Sequence, residues 1–416
     1  MSLQFIIGSS GIGKTHYACE QIIRESMENP QHLYYIIVPE QFTMQTQKNV
    51  VEMHPGKGIL NIDVLSFQRL AYRIFEETGG AREVLLDDTG KSMVLQKLVQ
   101  QHRKNLPYLG SQMNKPGYLD EVKSLISEFM QYDIREEELQ DMLGKTGEDS
   151  LLHMKMQDVG VLYQAFLQYL EGHYMTGEGV MDALKKAIPF SDKLKKSVLL
   201  LDGFTGFTPV QMNVIRELLN VCDKVLVTVT MDAGENPLQM GKPHQLFYMS
   251  RKMIHTLSGL TSNLDDPVLL KDERKGRFGN STSLDFLEKH LFRYRRSVYE
   301  KKQEEICIFA AESPVKELEE TARRIRRLVR EKNLKYGEIA VITGNLEAYK
   351  SIASQVFEES RIPYFLDEKH TILMNPFIEY IRAALEMVTK GFSYESVFRY
   401  LRCDMSGLAR NQVDML

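Results

Sequence analysis

Gly8, Gly13, Lys14 and Thr15, within "GSSGIGKT" at residues 8 to 15, satisfy the spacing G-x-x-x-x-G-K-[ST]. Each residue type answers a requirement of phosphate binding. Glycines let the backbone N–H groups of Gly8, Ser9, Ser10, Gly11, Ile12 and Gly13 curl around phosphate oxygens. Lys14 can reach the β and γ phosphates, and Thr15 can offer its hydroxyl to magnesium. A helix starting here would add its positive end. At average glycine usage the bare pattern arises by accident in roughly one chain of this size in a hundred, and here it also lies between a strand and a helix. The spacing predicts a nucleotide site with ATP and Mg²⁺ as ligands. The alternative is a glycine-rich turn that once bound phosphate. Only seven residues precede Gly8, so recognition of the base is expected from elsewhere, or to be loose.

Such a site needs an acid at the end of a neighbouring strand to hold magnesium through water, and "SVLLLD" at 197 to 202 supplies Asp202. In hydrolysing motors a glutamate normally follows and polarises the attacking water. Here the next residue is Gly203, so general-base assistance worth roughly 10² to 10⁴ in rate is missing. Binding with little turnover is expected, and no residue is assigned as catalytic. The competing reading of "LLLDGF" is a buried strand closed by an Asp-Gly turn.

The elements that must position these residues are legible as an alternation. "QFII" at 4 to 7, "LYYIIVP" at 33 to 39 and "NIDVLSF" at 61 to 67 read as strands. Helices are expected at 14 to 27, at 41 to 53 and from "QRLAYRIFEE". Such alternation implies an α/β fold with a parallel sheet, whose ligands sit at the carboxyl ends of the strands. From about 81 to 190 long helical patterns dominate, consistent with an all-helical insertion. The sheet resumes with "SVLLLD" and "KVLVTVTM" at 224 to 231, around a helix that starts after Thr208-Pro209. The charged "KDERKGRFGN" at 271 to 280 and "RYRRSVYEKKQ" at 293 to 303 read as the passage to a second α/β unit. That unit has a strand from about 304, a helix capped by Ser313 with Pro314 in its first turn, and the strand "EIAVIT" at 338 to 343. The end, "ARNQVDML", falls in mid-pattern, as in a fragment of something longer.

Of 416 residues, 52 are Lys or Arg and 56 Asp or Glu, a net charge of −4. No global basic field advertises nucleic acid, so any polyanion site must be local. An apolar share of 43% and a charged share of 26% suit a folded chain of two or three domains. Cys19, Cys222, Cys307 and Cys403 are far apart, without CxxC spacing, which argues against structural zinc or a disulfide framework. No eighteen apolar residues run together and no secretory pattern opens the chain, so a cytoplasmic protein without a membrane span is expected.

The phosphate loop, "IIVPEQFTMQTQ", "VLSFQRLAYRIFEETGG", "LDDTGKSMVLQKLV", "LLLDGFTGFTPVQ" and "EIAVITGNLEAY" follow one another in an order and spacing that resemble the B subunit of the bacterial ATP-dependent helicase/deoxyribonuclease, the AddB family. The similarity runs along essentially the whole chain and corresponds to about the N-terminal third of such a subunit. It implies a superfamily 1 helicase architecture. That means a first RecA-like P-loop NTPase domain (1–80 and 191–290), split by a helical 1B-like insertion (81–190), then the start of a second RecA-like domain (304–390). A further helical region would begin at 391–416. The resemblance also implies pairing with an AddA-like helicase–nuclease as a heterodimer, resection of double-strand breaks in recombinational DNA repair, and response to Chi. The B subunit would be an inactivated helicase handling single-stranded DNA. The family's exonuclease domain and iron–sulfur cluster belong to the C-terminal part, so none of the four cysteines is assigned to a cluster.

Carried over, the loop falls on Gly8 to Thr15, the magnesium acid on Asp202 and the helicase glutamate on Gly203. Gly344 and Asn345 stand where active relatives of the wider superfamily place a γ-phosphate arginine. Phe42 and Thr43, and likewise Ser66, Phe67 and Gln68, follow strands where such helicases touch single-stranded DNA, and an exposed aromatic could stack on a base. Packing within the core is the other reading for each. In "RYRRSVYEKK", Tyr294 and Tyr299 interleave with Arg293, Arg295 and Arg296, suiting DNA contact or a solvated linker. In "ELEETARRIRRLVRE" the apolar Leu318, Ala322, Ile325 and Leu328 form one face, with Arg323 and Arg324 neutralised by Glu319 and Glu320 four residues earlier. Three functions remain: a nucleotide-binding, non-translocating scaffold for single-stranded DNA; an autonomous P-loop ATPase or phosphotransferase whose insertion acts as a lid; and a structural module with an empty loop.

Overall fold

The computed structural model describes residues 2–80, 83–112, 115, 117–147, 150–232, 234–271, 277–293, 296–367 and 372–415. The chain forms two compact units, Met1–Ile306 and Cys307–Leu416.

In the first unit, strands β1 (Ser2–Gly8), β2 (Leu33–Ile37) and β3 (Ile62–Leu65) are separated by α1 (Lys14–Glu28) and α2 (Thr43–Met53), and β3 runs into α3 (Phe67–Thr78). A helical region follows: α4 (Asp88–His102), α5 (Leu109–Gln112), α6 (Tyr118–Gln131), α7 (Glu136–Gly144) and α8 (Leu151–Leu170). It is bracketed by two short strands, β4 (Val84–Leu86) and β5 (Tyr174–Thr176), which pair in parallel. Then come α9 (Gly179–Ala187), β6 (Ser197–Leu201), α10 (Pro209–Val221), β7 (Lys224–Thr230), α11 (Tyr248–Ser258), β8 (Val268–Leu269) and α12 (Thr282–His290).

The main sheet has the order β3-β2-β6-β7-β1-β8, and each neighbouring pair is parallel. All carboxyl ends therefore share one edge, as the alternation of elements requires. Side chains alternate across the sheet. Phe5, Ile7, Leu199 and Leu201 enter one apolar cluster, with α3, α9, α10 and α11, while Ile6, Val198 and Leu200 enter the opposite one, with α1 and α2. Burial on both faces explains why these strands read as continuous apolar runs. Thr208 caps α10 as expected: its hydroxyl accepts from Gln211 N (3.4 Å), and Gln211 Oε1 accepts from Thr208 N (3.0 Å).

Helices α4 to α8 enclose a separate core that includes Leu95, Leu98, Ile126, Leu162 and Phe166. Two details differ from the all-helical reading of 81–190. The short β4–β5 ladder lies at its base, and α9 sends Val180, Met181 and Leu184 into the main sheet's cluster. Residues 272–276 of the charged segment, with Tyr294 and Arg295, lie outside the described residues. Arg293 forms a two-pronged pair with Asp232 (2.9–3.2 Å), and Tyr299 packs on Phe286 at 5.2 Å between centroids. Both are thereby tied to the first unit.

The second unit contains α13 (Pro314–Lys332), α14 (Leu346–Glu359), α15 (Pro376–Thr389), α16 (Tyr394–Leu401) and α17 (Arg410–Val413). Leu318, Ala322 and Ile325 of α13 pack on Ala353, Val356 and Phe357 of α14. Ser313 caps α13 as expected, and Arg323 and Arg324 both pair with Glu320 (3.1 and 2.9 Å). The two strands expected here are not formed among the described residues. Segments 306–311 and 339–343 have no ladder partner, and Ile308 and Ile342 are 94% and 91% exposed. An apolar run becomes a strand only against a neighbour that takes up its N–H and C=O groups. Among the described residues no helix is long and apolar enough to cross a membrane.

Candidate nucleotide site

β1 ends at Gly8, and both of its flanks are tied there: Met231 N donates to Gly8 O (3.0 Å) and Leu270 N to Ile7 O (2.8 Å). A Cβ at Gly8 would stand 2.7 Å from Ile12 Cγ2, so the turn closes only on glycine. Gly11 (φ 78°) and Gly13 (φ 98°) are left-handed, and Gly13 is the residue from which α1 springs. The backbone thus turns sharply through Ser9, Ser10 and Ile12 and delivers Lys14 and Thr15 as the first residues of the helix.

Lys14 Nζ donates to Ser9 O (2.8 Å), folding back across the loop. Burial pushes its ammonium below the usual lysine range, opposed by the charges of Asp202 and Glu288. Thr15 Oγ1 lies 3.0 Å from each carboxylate oxygen of Asp202. β7 intervenes between the loop strand and the acid's strand, so the acid comes from the next strand but one. That intervening strand contributes Thr228, whose hydroxyl donates to Asp202 Oδ1 (2.6 Å) and accepts from Gly203 N (3.4 Å). Asp202 is 5% exposed, and its N–H continues the ladder to Ile37 O (3.0 Å).

Gly203 has φ 78°, a conformation that costs a residue with a Cβ about 1–2 kcal/mol. The backbone that aims Asp202 at Thr15 therefore also favours glycine after it. The paired hydroxyl and carboxylate are hard oxygen donors of the kind magnesium takes, and the space beside Gly13, where no atom lies within 4 Å of a Cβ position, is open. The residues present fit a phosphate–magnesium group.

The other residues singled out in the sequence part ways. Phe42 is 48% exposed, at the end of a single 3-10 turn (Glu40–Phe42) after β2, and Gln68 is exposed on α3. Thr43 is buried and donates to Glu40 O (2.9 Å). Ser66 caps α3, accepting from Arg69 N (3.3 Å). Phe67 packs edge-on against Phe204 and Phe207, with centroids 5.6 and 6.2 Å away. In the second unit Asn345 caps α14 by accepting from Ala348 N (3.3 Å).

Sequence reasoning missed Thr228, and also Arg277, Phe278 and Glu288, which line a cavity with Ser9 and Ser10 of the loop. The last three lie in or before α12, where the short apolar set Leu284, Phe286 and Leu287 is interrupted by charges and gives little periodic signal. Thr228 sits in a β-branched run where threonine is ordinary.

A profile of the family described as "ADDB, N-terminal" matches residues 5–288. The chain is 42% identical to the B subunit of the ATP-dependent helicase/deoxyribonuclease of Lachnoclostridium phytofermentans, over all of this chain and 37% of that protein. It is 33% identical to the corresponding protein of Clostridium tetani, again over all of this chain and 37% of that protein, and 33% identical to that of Caldanaerobacter subterraneus subsp. tengcongensis, over 36% of that protein. The chain thus spans a little over a third of the length of the curated relatives it matches. A glycine loop on β1 facing an acid after β6, together with a profile match across the unit that carries both, establishes that this chain belongs to the ADDB family, over its N-terminal part.

Proposed function

We propose that Gly8 to Thr15 and Asp202 bind the phosphates and magnesium of ATP on a P-loop NTPase fold of the RecA-like kind. The observation that carries this is the Thr15 hydroxyl at 3.0 Å from both Asp202 oxygens. In this reading the loop amides and Lys14 hold phosphate oxygens, while Thr15 and Asp202 hold magnesium. Bound magnesium supplies neutralisation of phosphate charge. Asp202 is aimed by two hydroxyls, and Gly203 brings no carboxylate to a water. Nucleotide is bound and turned over little.

Relatives that carry the name of the B subunit of an ATP-dependent helicase/deoxyribonuclease support a place in such a complex, acting on DNA in repair. The fitting partner is an AddA-like helicase–nuclease. This chain contributes a helicase-like, non-translocating scaffold. Single-stranded DNA would cross the carboxyl edge of the sheet, where Phe42 and Gln68 are exposed beside the site.

The test is steady-state ATP hydrolysis by the purified chain with and without single-stranded DNA, alongside nucleotide binding. Bound nucleotide with turnover at background is expected in both conditions. Brisk DNA-stimulated hydrolysis would replace this reading with an autonomous ATPase.

A further inference from the structure

Residues 277–283 brace the phosphate loop from one side. Arg277 N donates to Gly11 O (3.0 Å), and a Cβ placed on Gly11 would stand 3.1 Å from Arg277 Cβ and 3.2 Å from Phe278 Cε2. The Phe278 ring therefore lies directly on Gly11, and the left-handed turn there (φ 78°) has a wall behind it. The Gly11–Ile12 peptide is trans, so its C=O and N–H point in opposite directions. Engaging Gly11 O on the brace turns the Ile12 N–H away from it. That amide is one of those assigned to phosphate oxygens.

The brace is itself tied at both ends. Before it, Leu270 N donates to Ile7 O (2.8 Å) at the close of β8. After it, Ser281 N donates to Phe278 O (2.9 Å), and the Ser281 hydroxyl caps α12 by accepting from Leu284 N (3.1 Å). The hydroxyls of Ser281 (2.5 Å) and of buried Ser283 both donate to one oxygen of the Glu305 carboxylate. Thr282 Oγ1 pairs with the Tyr299 hydroxyl at 2.6 Å. Glu305, which touches nothing in the loop, thus fixes the start of the helix on which the brace ends.

We propose that Phe278 and Glu305 are positioning residues for nucleotide binding: Phe278 keeps Gly11 against the Arg277 N–H, and Glu305 holds the brace to α12. The proposal rests on the nucleotide reading above. Its physical basis is preorganisation, since a loop that must be ordered at the moment of binding subtracts that cost from the affinity. The brace acts on the loop's shape rather than on any one phosphate, so ATP and ADP are affected alike.

The experiment is equilibrium binding of ATP and of ADP, each with magnesium, to the full chain and to Phe278→Ala, Phe278→Leu, Glu305→Ala and Glu305→Gln, with thermal unfolding of each. Phe278→Ala and Glu305→Ala should weaken both nucleotides by roughly fivefold or more, while Phe278→Leu and Glu305→Gln stay within about twofold of wild type. Leucine keeps an apolar wall on Gly11, and glutamine keeps an oxygen that accepts from both serines. Nucleotide binding by the two alanine variants at wild-type affinity would overturn the proposal and leave the nucleotide site standing. So would equal losses in the alanine and conservative variants that track a lowered unfolding temperature, which would reduce the contacts to general stability. No saturable binding by the wild-type chain would overturn the site and the proposal together.

Discussion

The Asp202 carboxylate is held by two hydroxyls, Thr15 and Thr228, and only the first belongs to the phosphate-loop pattern. Thr228→Val removes the 2.6 Å bond that aims the carboxylate. It is expected to weaken magnesium-dependent nucleotide binding by roughly tenfold, the scale of outer partners of metal ligands, and to leave binding in excess chelator unchanged. Titrations with and without magnesium check this. Gly203 tests the neighbouring point. Because its φ is 78°, Gly203→Glu should lower stability by about 1–2 kcal/mol, read from denaturant midpoints, and should not install ATP turnover. The strand-to-helix loop, and an acid followed by glycine at the end of another strand of the same sheet, were legible from residue type and spacing. The left-handed backbone that explains the glycine was not, since a turn conformation leaves only the ambiguous Asp-Gly signature. Cysteines offer a further check. Burial pushes the Cys19 thiol up to about 12, Asp202 adding to it, and burial pushes Cys222 to about 11. Exposed Cys307 should be alkylated promptly at neutral pH, with Cys19 and Cys222 labelled only on unfolding, as followed by mass spectrometry.

Among the elements, the helical insertion is pinned by a buried ion pair. Lys91 Nζ on α4 donates to both Glu178 carboxylate oxygens (3.0 Å each) and to Ser127 Oγ on α6 (3.2 Å). Burial pushes the Glu178 carboxyl up, but its own backbone N–H and the Lys91 bond and charge outweigh this and hold it below its ordinary 4.5. A depressed carboxyl stabilises the fold above its unfolded pKa, and that stability is lost as pH falls through the folded value. Lys91→Met should cost about 3 kcal/mol by stranding Glu178, and the double variant Lys91→Met, Glu178→Leu should recover most of it. Denaturant unfolding near neutral pH and below pH 4.5 reads both effects, and the wild-type advantage should shrink at the acid end. The five long strands of the main sheet could be read from their apolar runs because both faces are covered. β8, at Val268–Leu269, is too short to signal itself, and β4 and β5 are equally short. Helix α9 reads as one more helix of the insertion, because periodicity reports that a face is buried but not against what.

At the scale of the whole molecule, the two units differ in how much apolar surface they cover. The first packs its sheet on both faces, whereas Ile308, Ile342 and Phe365 of the second are 94%, 91% and 87% exposed. Hydrogen exchange on the full chain should protect β1, β6 and β7 most, with segments 306–311 and 339–343 exchanging early for want of ladder partners. Slow exchange in those two segments would contradict the unpaired state described for the second unit. The expectation of strands there drew on apolar pattern alone, and pattern does not supply a partner. For the proposed nucleotide site, the most direct measurement is equilibrium binding of ATP to the intact chain and to Lys14→Ala across a magnesium series. Saturable, magnesium-dependent binding that weakens at least about tenfold without Lys14 is the predicted result. Binding indifferent to both Lys14 and magnesium, or no binding at all, would contradict it.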